Sequence, residues 1–281
     1  MRRTRAIRIG VAAAVGLLFA VGCSILTDLD PLTNGHGPAA LDSSAFDAPG
    51  TDAPSGSDGP VAPGDGQACD AGYREMVIQD KPVAYWRLGD PPGGTRASDE
   101  SGNGNHGTYF GGIELGKPGA IACDPNQAIE NDGTGVIRVD DQLHFTDTAP
   151  LTLEAWAAFQ DGTPTFVGKA SYSLYWWSDG LRFDRQQSTT SHCACIAFEG
   201  DGGALRDGRY HHFVGTYDSF TMKVYVDGVM IRSNCECTLT IPADAGTLVV
   251  AGIAGKLDEV AIYDKALTTQ AIQAHFAARA P

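Results

Sequence analysis

The chain has 281 residues, 43% of them apolar, with 34 acidic against 20 basic residues and a net charge of −14. That apolar share supports a sizeable core. A chain this acidic is repelled by nucleic acid and by anionic lipid surfaces, so nucleic acid is excluded as a partner.

At the N-terminus Arg2, Arg3, Arg5 and Arg8 precede an apolar run from Ile9 to Gly22 and then Cys23. The run is shorter than the about 20 residues that span a bilayer, and it has the build of a signal-peptide core. Ala20-Val-Gly-Cys23 resembles the cleavage box of bacterial lipoproteins, although Ala20 stands where such boxes usually carry Leu. The resemblance implies a signal peptide over residues 1–22, lipidation of Cys23 and a membrane anchor. With Ser24 rather than Asp next, it favours the outer membrane or cell surface. A soluble secreted protein cut at another site is the alternative. Losing residues 1–22 leaves 16 basic against 34 acidic residues.

Residues 23–68 are rich in Pro, Gly, Ser and Asp, and no Lys or Arg occurs between Arg8 and Arg74. This composition reads as a disordered, self-repelling acidic tether. Its reach is on the order of 40 Å root-mean-square.

Residues 69–281 form one domain-sized block. After a possible short turn at residues 70–79, short alternating segments are separated by turn signals at Gly102-Asn-Gly104, Asn131-Asp-Gly133, Ser178-Asp-Gly180 and Asp227-Gly228. Asp-Gly between apolar runs marks a tight hairpin. Val83–Gly89 and Leu153–Trp156 read as strands, with Trp86 and Trp156 in the core. Val224 and Val226 point one way and Tyr225 the other. Leu257, Val260, Ala261, Ile262 and Tyr263 form a dense apolar run, hence a strand covered on both faces and central to a sheet, with Val83–Gly89 as its neighbour. Thr268 caps a short C-terminal helix whose Ile272, His275 and Phe276 share one side.

Six stretches in order carry a family resemblance: Val83-Ala-Tyr-Trp-Arg-Leu-Gly89, Asp99-Glu-Ser-Gly-Asn-Gly-Asn-His-Gly107, Leu153-Glu-Ala-Trp156, Tyr210-His-His-Phe-Val-Gly-Thr-Tyr217, Lys223-Val-Tyr-Val-Asp-Gly228 and Gly255-Lys-Leu-Asp-Glu-Val-Ala-Ile-Tyr263. Together they resemble the laminin-G-like, concanavalin A-like jelly-roll domains of bacterial surface proteins, from about residue 77 to residue 276. The expected fold is all-β, a two-sheet antiparallel jelly-roll sandwich with a short C-terminal helix. That sandwich hosts lectins, adhesion modules, hydrolases and lyases, so it does not select a function.

Seven cysteines less the lipidated one leave Cys69, Cys123, Cys193, Cys195, Cys235 and Cys237. An even number in an exported chain implies three disulfides. Cys193 and Cys195 project from one strand face, as do Cys235 and Cys237. If the two segments are antiparallel neighbours, Cys193 pairs with Cys237 and Cys195 with Cys235, leaving Cys69 for Cys123. A four-thiolate zinc site is the other reading, disfavoured by export and by the Cys-x-Cys spacing.

The Asp99–Gly107 loop fails as a helix–loop–helix calcium motif, because its twelfth position is Phe110 rather than Glu. Related jelly rolls often hold one structural calcium with such a loop and a late Asp. The resemblance therefore implies Asp99, Asn103, Asn105 and Asp258 as calcium ligands. The competing reading makes Asp99 and the asparagines caps of local turns.

His211 and His212 are strand neighbours facing opposite sides, so they cannot act on one substrate. Glycoside hydrolases on this sandwich resemble Glu-x-Asp-x-x-Glu. Here Asp258 and Glu259 are adjacent, hence expected to face opposite ways, and Glu154 has no acid at i+2. In Tyr172–Trp177, with Leu174 and Trp176 inward, Tyr175 and Trp177 point out. Beside Arg182 and Asp184 they would form a platform for a sugar ring or an apolar side chain. Coverage of these rings by a loop is the alternative. These readings favour a non-catalytic module that recognises a glycan or a surface protein. A structural or adhesive envelope component comes next, and a hydrolase or lyase last.

Overall fold

The structure, a computed structural model, describes residues 72–140, 142–178, 180–198, 204–244 and 246–280. The stretches read as signal peptide and tether, together with Cys23 and Cys69, lie outside the described residues. Helix α1 (Tyr73–Gln79) is followed by strands β1 (Ala84–Trp86), β2 (Arg96–Ala97), β3 (Gly107–Phe110), β4 (Ile113–Pro118), β5 (Gln127–Asp132) and β6 (Val136–Val139). Next come β7 (Leu151–Ala158), β8 (Thr165–Lys169), β9 (Tyr172–Trp177), β10 (Gly180–Ser188) and β11 (Ser191–Phe198). The chain closes with β12 (His211–Tyr217), β13 (Thr221–Val226), β14 (Val229–Glu236), β15 (Leu248–Gly252), β16 (Ala254–Tyr263) and helix α2 (Thr269–Ala277).

These strands form two antiparallel sheets. Sheet A runs β14-β13-β12-β7-β16-β5-β4, and sheet B runs β11-β10-β9-β8-β15-β6-β3-β2. β16 is central, as its apolar run implies. One side pairs with β7, and the other is shared by β5 along Ala254–Leu257 and by β1 along Val260–Ile262. A sandwich whose middle strand is contributed last closes only when residues near 260 are in place.

The inward residues of both sheets, among them Trp86, Leu153, Phe166, Trp176, Phe213, Val224 and Ile262, make the main core. A second apolar layer covers the outer face of sheet A, where Tyr85, Trp156, Val214, Tyr225 and Tyr263 meet Tyr73 and Val77 of α1 and Ile272 of α2. Trp86 and Trp156 are both fully buried, but in different layers: Trp86 lies between the sheets and Trp156 beneath the helices. Tyr225 points opposite to Val224 and Val226, as strand alternation requires. Thr268 caps α2, its hydroxyl accepting from the Ala271 N–H at 3.1 Å. At the β13–β14 hairpin, Asp227 and Gly228 adopt φ of 50° and 74°, the left-handed pair of a two-residue turn matched to strand twist.

Both expected cysteine pairs form, Cys193–Cys237 and Cys195–Cys235. Their setting differs from the expected one. β11 is the edge of sheet B and β14 the edge of sheet A, so the bridges staple the two sheets at one margin rather than neighbours within a sheet. Cys123 is also disulfide-bonded.

Candidate functional site

Sheet A and sheet B treat their outer faces differently. On sheet B, β9 pairs with β10 so that Trp177 opposes Gly180, Trp176 opposes Leu181 and Tyr175 opposes Arg182. The intervening turn places Ser178 at φ 58°. Alternation then buries Leu174 and Trp176 between the sheets and turns Tyr175 and Trp177 outward. Trp177 is 51% exposed. Tyr175 is half-buried, its hydroxyl donating to Asp184 Oδ2 at 2.6 Å.

Asp184 is only 8% exposed, and burial raises its carboxyl pKa, against the opposing pull of Tyr175, His192 and Arg182. Burial and the neighbouring Asp184 push the Tyr175 hydroxyl up to about 12. Asp184 Oδ1 and Arg182 Nε have no hydrogen-bond partner among the described residues. Both of these atoms are themselves buried, so what the face offers a ligand is the exposed Trp177 indole, which suits an apolar ring face.

On sheet A the equivalent surface is sealed. Glu154, fully buried in β7, accepts from His212 Nε2 at 2.7 Å, Tyr263 Oη at 2.8 Å, His275 Nδ1 at 3.0 Å and Tyr73 Oη at 3.2 Å. Trp156 Nε1 donates in turn to Tyr73 Oη at 2.9 Å. Burial alone would raise the Glu154 carboxyl, but His275 and His212 outweigh it and hold the acid well below the usual carboxylate range. Burial lowers the His275 pKa less than Glu154 and Asp80 raise it. This network locks α1 and α2 onto the sheet. Composition could have flagged it, because a Glu inside a strand otherwise apolar but for Thr152 must find partners.

The paired histidines do face opposite ways. His211 bonds Asp227 Oδ2 at 2.7 Å while His212 turns to Glu154. Asp258 and Glu259 do not. The β16–β7 register slips between Asp258 and Ala261, and Glu259 takes φ 49°. This bulge inserts one residue, so Asp258 and Glu259 both reach the outer side of sheet A. Asp258 Oδ2 accepts from the Ala120 N–H at 2.7 Å. Glu259 accepts from the Tyr85 hydroxyl and, at 3.0 Å, from Arg87, whose guanidinium also binds Asp124 at 2.6 Å. Burial, then the neighbouring Glu259, holds the Asp258 carboxyl well up. Burial also raises Glu259 to about 7 against Arg87 and Tyr85. Both acids are buried, which gives a substrate no access.

The proposed calcium ligands are divided between two places. Asp99 accepts from the N–H groups of Tyr85, Ser101 and Asn105 and from the Ser101 hydroxyl, all within 2.9 Å. Asn103 and Asn105 turn their amide Nδ2 groups to the Val83 carbonyl at 3.1 and 2.7 Å. Asp258 belongs to the Arg87 cluster instead. Oxygens already occupied by donors, and amides presenting N–H, do not fit a cation as they stand. No group of three or more His, Cys, Asp or Glu residues among the described residues is arranged to hold a metal.

A family model described as the concanavalin A-like lectin/glucanases superfamily, Laminin_G_3, matches residues 131–273. No curated protein matches the sequence. Among solved structures, the chain is similar to the binding domain of Paraclostridial mosquitocidal protein 1, with 13% identity, 71% of this chain and 52% of that one covered, and a TM-score of 0.54. Domain 4 of AbnA, a GH43 extracellular arabinanase from Geobacillus stearothermophilus, solved with arabinotriose, has 19% identity, 69% and 98% coverage and a TM-score of 0.51. The binding domain of botulinum neurotoxin DC, solved with SialylT, has 14% identity, 71% and 52% coverage and a TM-score of 0.54. The chain spans about half the length of these two toxin domains. At such identities the likeness establishes the sandwich and nothing finer.

Proposed function

Because the chain belongs to the concanavalin A-like lectin/glucanases superfamily, we propose that it is a non-catalytic recognition module that binds glycan through the outer face of sheet B. Lipid at Cys23 and the tether of residues 23–68 would hold it at the outer membrane or cell surface. The observation that carries this reading is Trp177, 51% exposed at the end of β9 beside the Tyr175–Asp184 pair. Arabinotriose in the arabinanase domain and SialylT in the toxin domain are ligands of those proteins; they support a glycan as the class of partner here. Burial of Asp258 and Glu259 under Arg87 and Tyr85 supports recognition over hydrolysis, since neither acid is open to a glycosidic bond.

A glycan array with wild type and Trp177→Ala tests the reading, run with calcium and with chelator. Binding by wild type that the substitution abolishes supports it. Wild type that retains no glycan transfers the face to protein contact in a structural or adhesive role. Turnover of a polysaccharide would replace recognition with catalysis. A calcium-dependent rise in melting temperature would revive the ion despite its occupied donors.

A further inference from the structure

Charge is shared unevenly between the two sheets of this acidic chain. The strands of sheet A hold seven acidic residues against four basic ones. Those of sheet B hold five basic residues, Arg96, Arg138, Lys169, Arg182 and Arg185, against Asp184 alone. Lys169 and Arg185 are buried. The other three face outward, because their strand neighbours Ala97, Ile137, Val139, Leu181 and Phe183 fill the core between the sheets. Even with Asp184 ionised, these three guanidinium groups leave the open face net positive.

Their charges are not spent on local ion pairs. Arg96 and Arg138 are exposed and Arg182 is partly so. The Arg138 guanidinium lies 5.0 Å over the Phe110 ring, and Arg96 touches His106 Nε2 at 2.5 Å. None of the three has a carboxylate ion-pair partner among the described residues.

Register sets their spacing. Arg138 opposes Thr108, which opposes Arg96, and on its other side it opposes Val249. The row continues through Gly168 and Ser173 to Asp184 in β10. At one strand spacing per step, Arg96 lies about 10 Å from Arg138, and the strand of Arg182 lies about 20 Å away on the other side. Between them Val249, Gly168 and Ser173 keep the floor low, and Trp177 stands exposed at the far end. Stacked sheets lie about 10 Å apart, so the acids on the outer face of sheet A are beyond a Debye length of about 8 Å at physiological salt. The local sign therefore governs what approaches sheet B closely. Nucleic acid, with a phosphate about every 3.4 Å of each strand, is far denser in charge than this row and is opposed by the net charge of the whole chain.

Resting on the reading that the outer face of sheet B binds glycan, we propose that its ligand is an acidic polysaccharide whose chain crosses the strands from Trp177 to Arg138. A sugar ring stacks on Trp177, and the carboxylates of uronic-acid units are taken by Arg138, which the Phe110 ring holds in place, and by Arg96.

The test is an array probed with the intact protein. It carries long oligosaccharides of galacturonate, of mannuronate and of hyaluronan, each beside its carboxyl-reduced counterpart, with single-stranded oligothymidylate as a polyanion control. The expected result is binding of at least one uronate series that weakens about tenfold or more on carboxyl reduction and falls as salt is raised. Arg138→Gln should weaken the acidic members about tenfold and leave the reduced ones unchanged, a split that loss of structure would not produce. Equal binding of acidic and reduced members would overturn the proposal. So would oligothymidylate bound as tightly as the uronates, or acidic binding untouched when Arg96 and Arg138 are both replaced by Gln. Neutral glycans bound by wild type and lost with Trp177→Ala, with no preference for acid, would end this inference and leave the Trp177 reading standing. Wild type that binds no glycan at all removes both.

Discussion

On the outer face of sheet A, Trp156 lies under two helices above a carboxylate held by two histidines and two tyrosines. On the outer face of sheet B, Trp177 stands half exposed two residues from Tyr175, whose hydroxyl binds Asp184. Both surfaces grow from the same two-residue alternation, with an aromatic and an acid projecting outward. The difference lies in what arrives from elsewhere in the chain. Tyr73 and His275 reach Glu154 across separations of 81 and 121 residues, whereas Tyr175 and Asp184 belong to one hairpin. A face completed by distant elements becomes core, and a face completed locally remains available to a ligand.

Removing the centre of the closed face should have the largest effect. Glu154→Ala strands His212 and His275 in the interior, and loss of one member of a buried charged group costs about 3–5 kcal/mol. Urea denaturation should report that loss, and hydrogen exchange should show α2 opening first. Glu154→Gln, which keeps an acceptor, should lose less. If Glu154→Ala instead proved neutral, the helices would be held by apolar packing alone.

Next in size is the staple between the sheets. The Cys195–Cys235 bridge closes 40 residues but is nested within Cys193–Cys237. Replacing both Cys195 and Cys235 with Ser should therefore cost about 2 kcal/mol, read from the same denaturation curves.

The pH profile sharpens the comparison further. Glu259, raised from 4.5 to about 7, contributes stability that is complete below pH 4.5 and lost as pH rises through 7. His275, raised above 6.5, contributes stability present below 6.5 and lost as pH climbs past its folded value. Both belong to sheet A and act in the same direction, so the melting temperature should fall from pH 5 to pH 8. Glu259→Gln should flatten the lower part of that decline. A melting temperature that rises over this interval would contradict both assignments.

The smallest effect on stability is expected on the open face. Trp177→Ala should shift unfolding by less than about 0.5 kcal/mol while weakening glycan binding about tenfold or more. A large loss of stability would show that Trp177 is structural and would remove the distinction between the two faces.

Alternation and capping by themselves determined a good deal: the central place of Leu257–Tyr263, the Thr268 cap, the opposed directions of His211 and His212, and the outward turn of Tyr175 and Trp177. Each follows from a period of two or of 3.6 residues, or from a cap, and needs only neighbouring residues to be read. Tertiary structure alone decided the bulge that brings Asp258 and Glu259 to the same side, the layer in which Trp156 is buried, and the assignment of Cys193–Cys195 and Cys235–Cys237 to opposite sheets. It also gave the Asp99 oxygens to the N–H of Tyr85 in β1 as well as to its own loop, and it assembled the Glu154 network. These features depend on which strands lie against each other after folding, and no local period encodes that. An acidic pair in a strand looks the same with or without the extra residue that turns it.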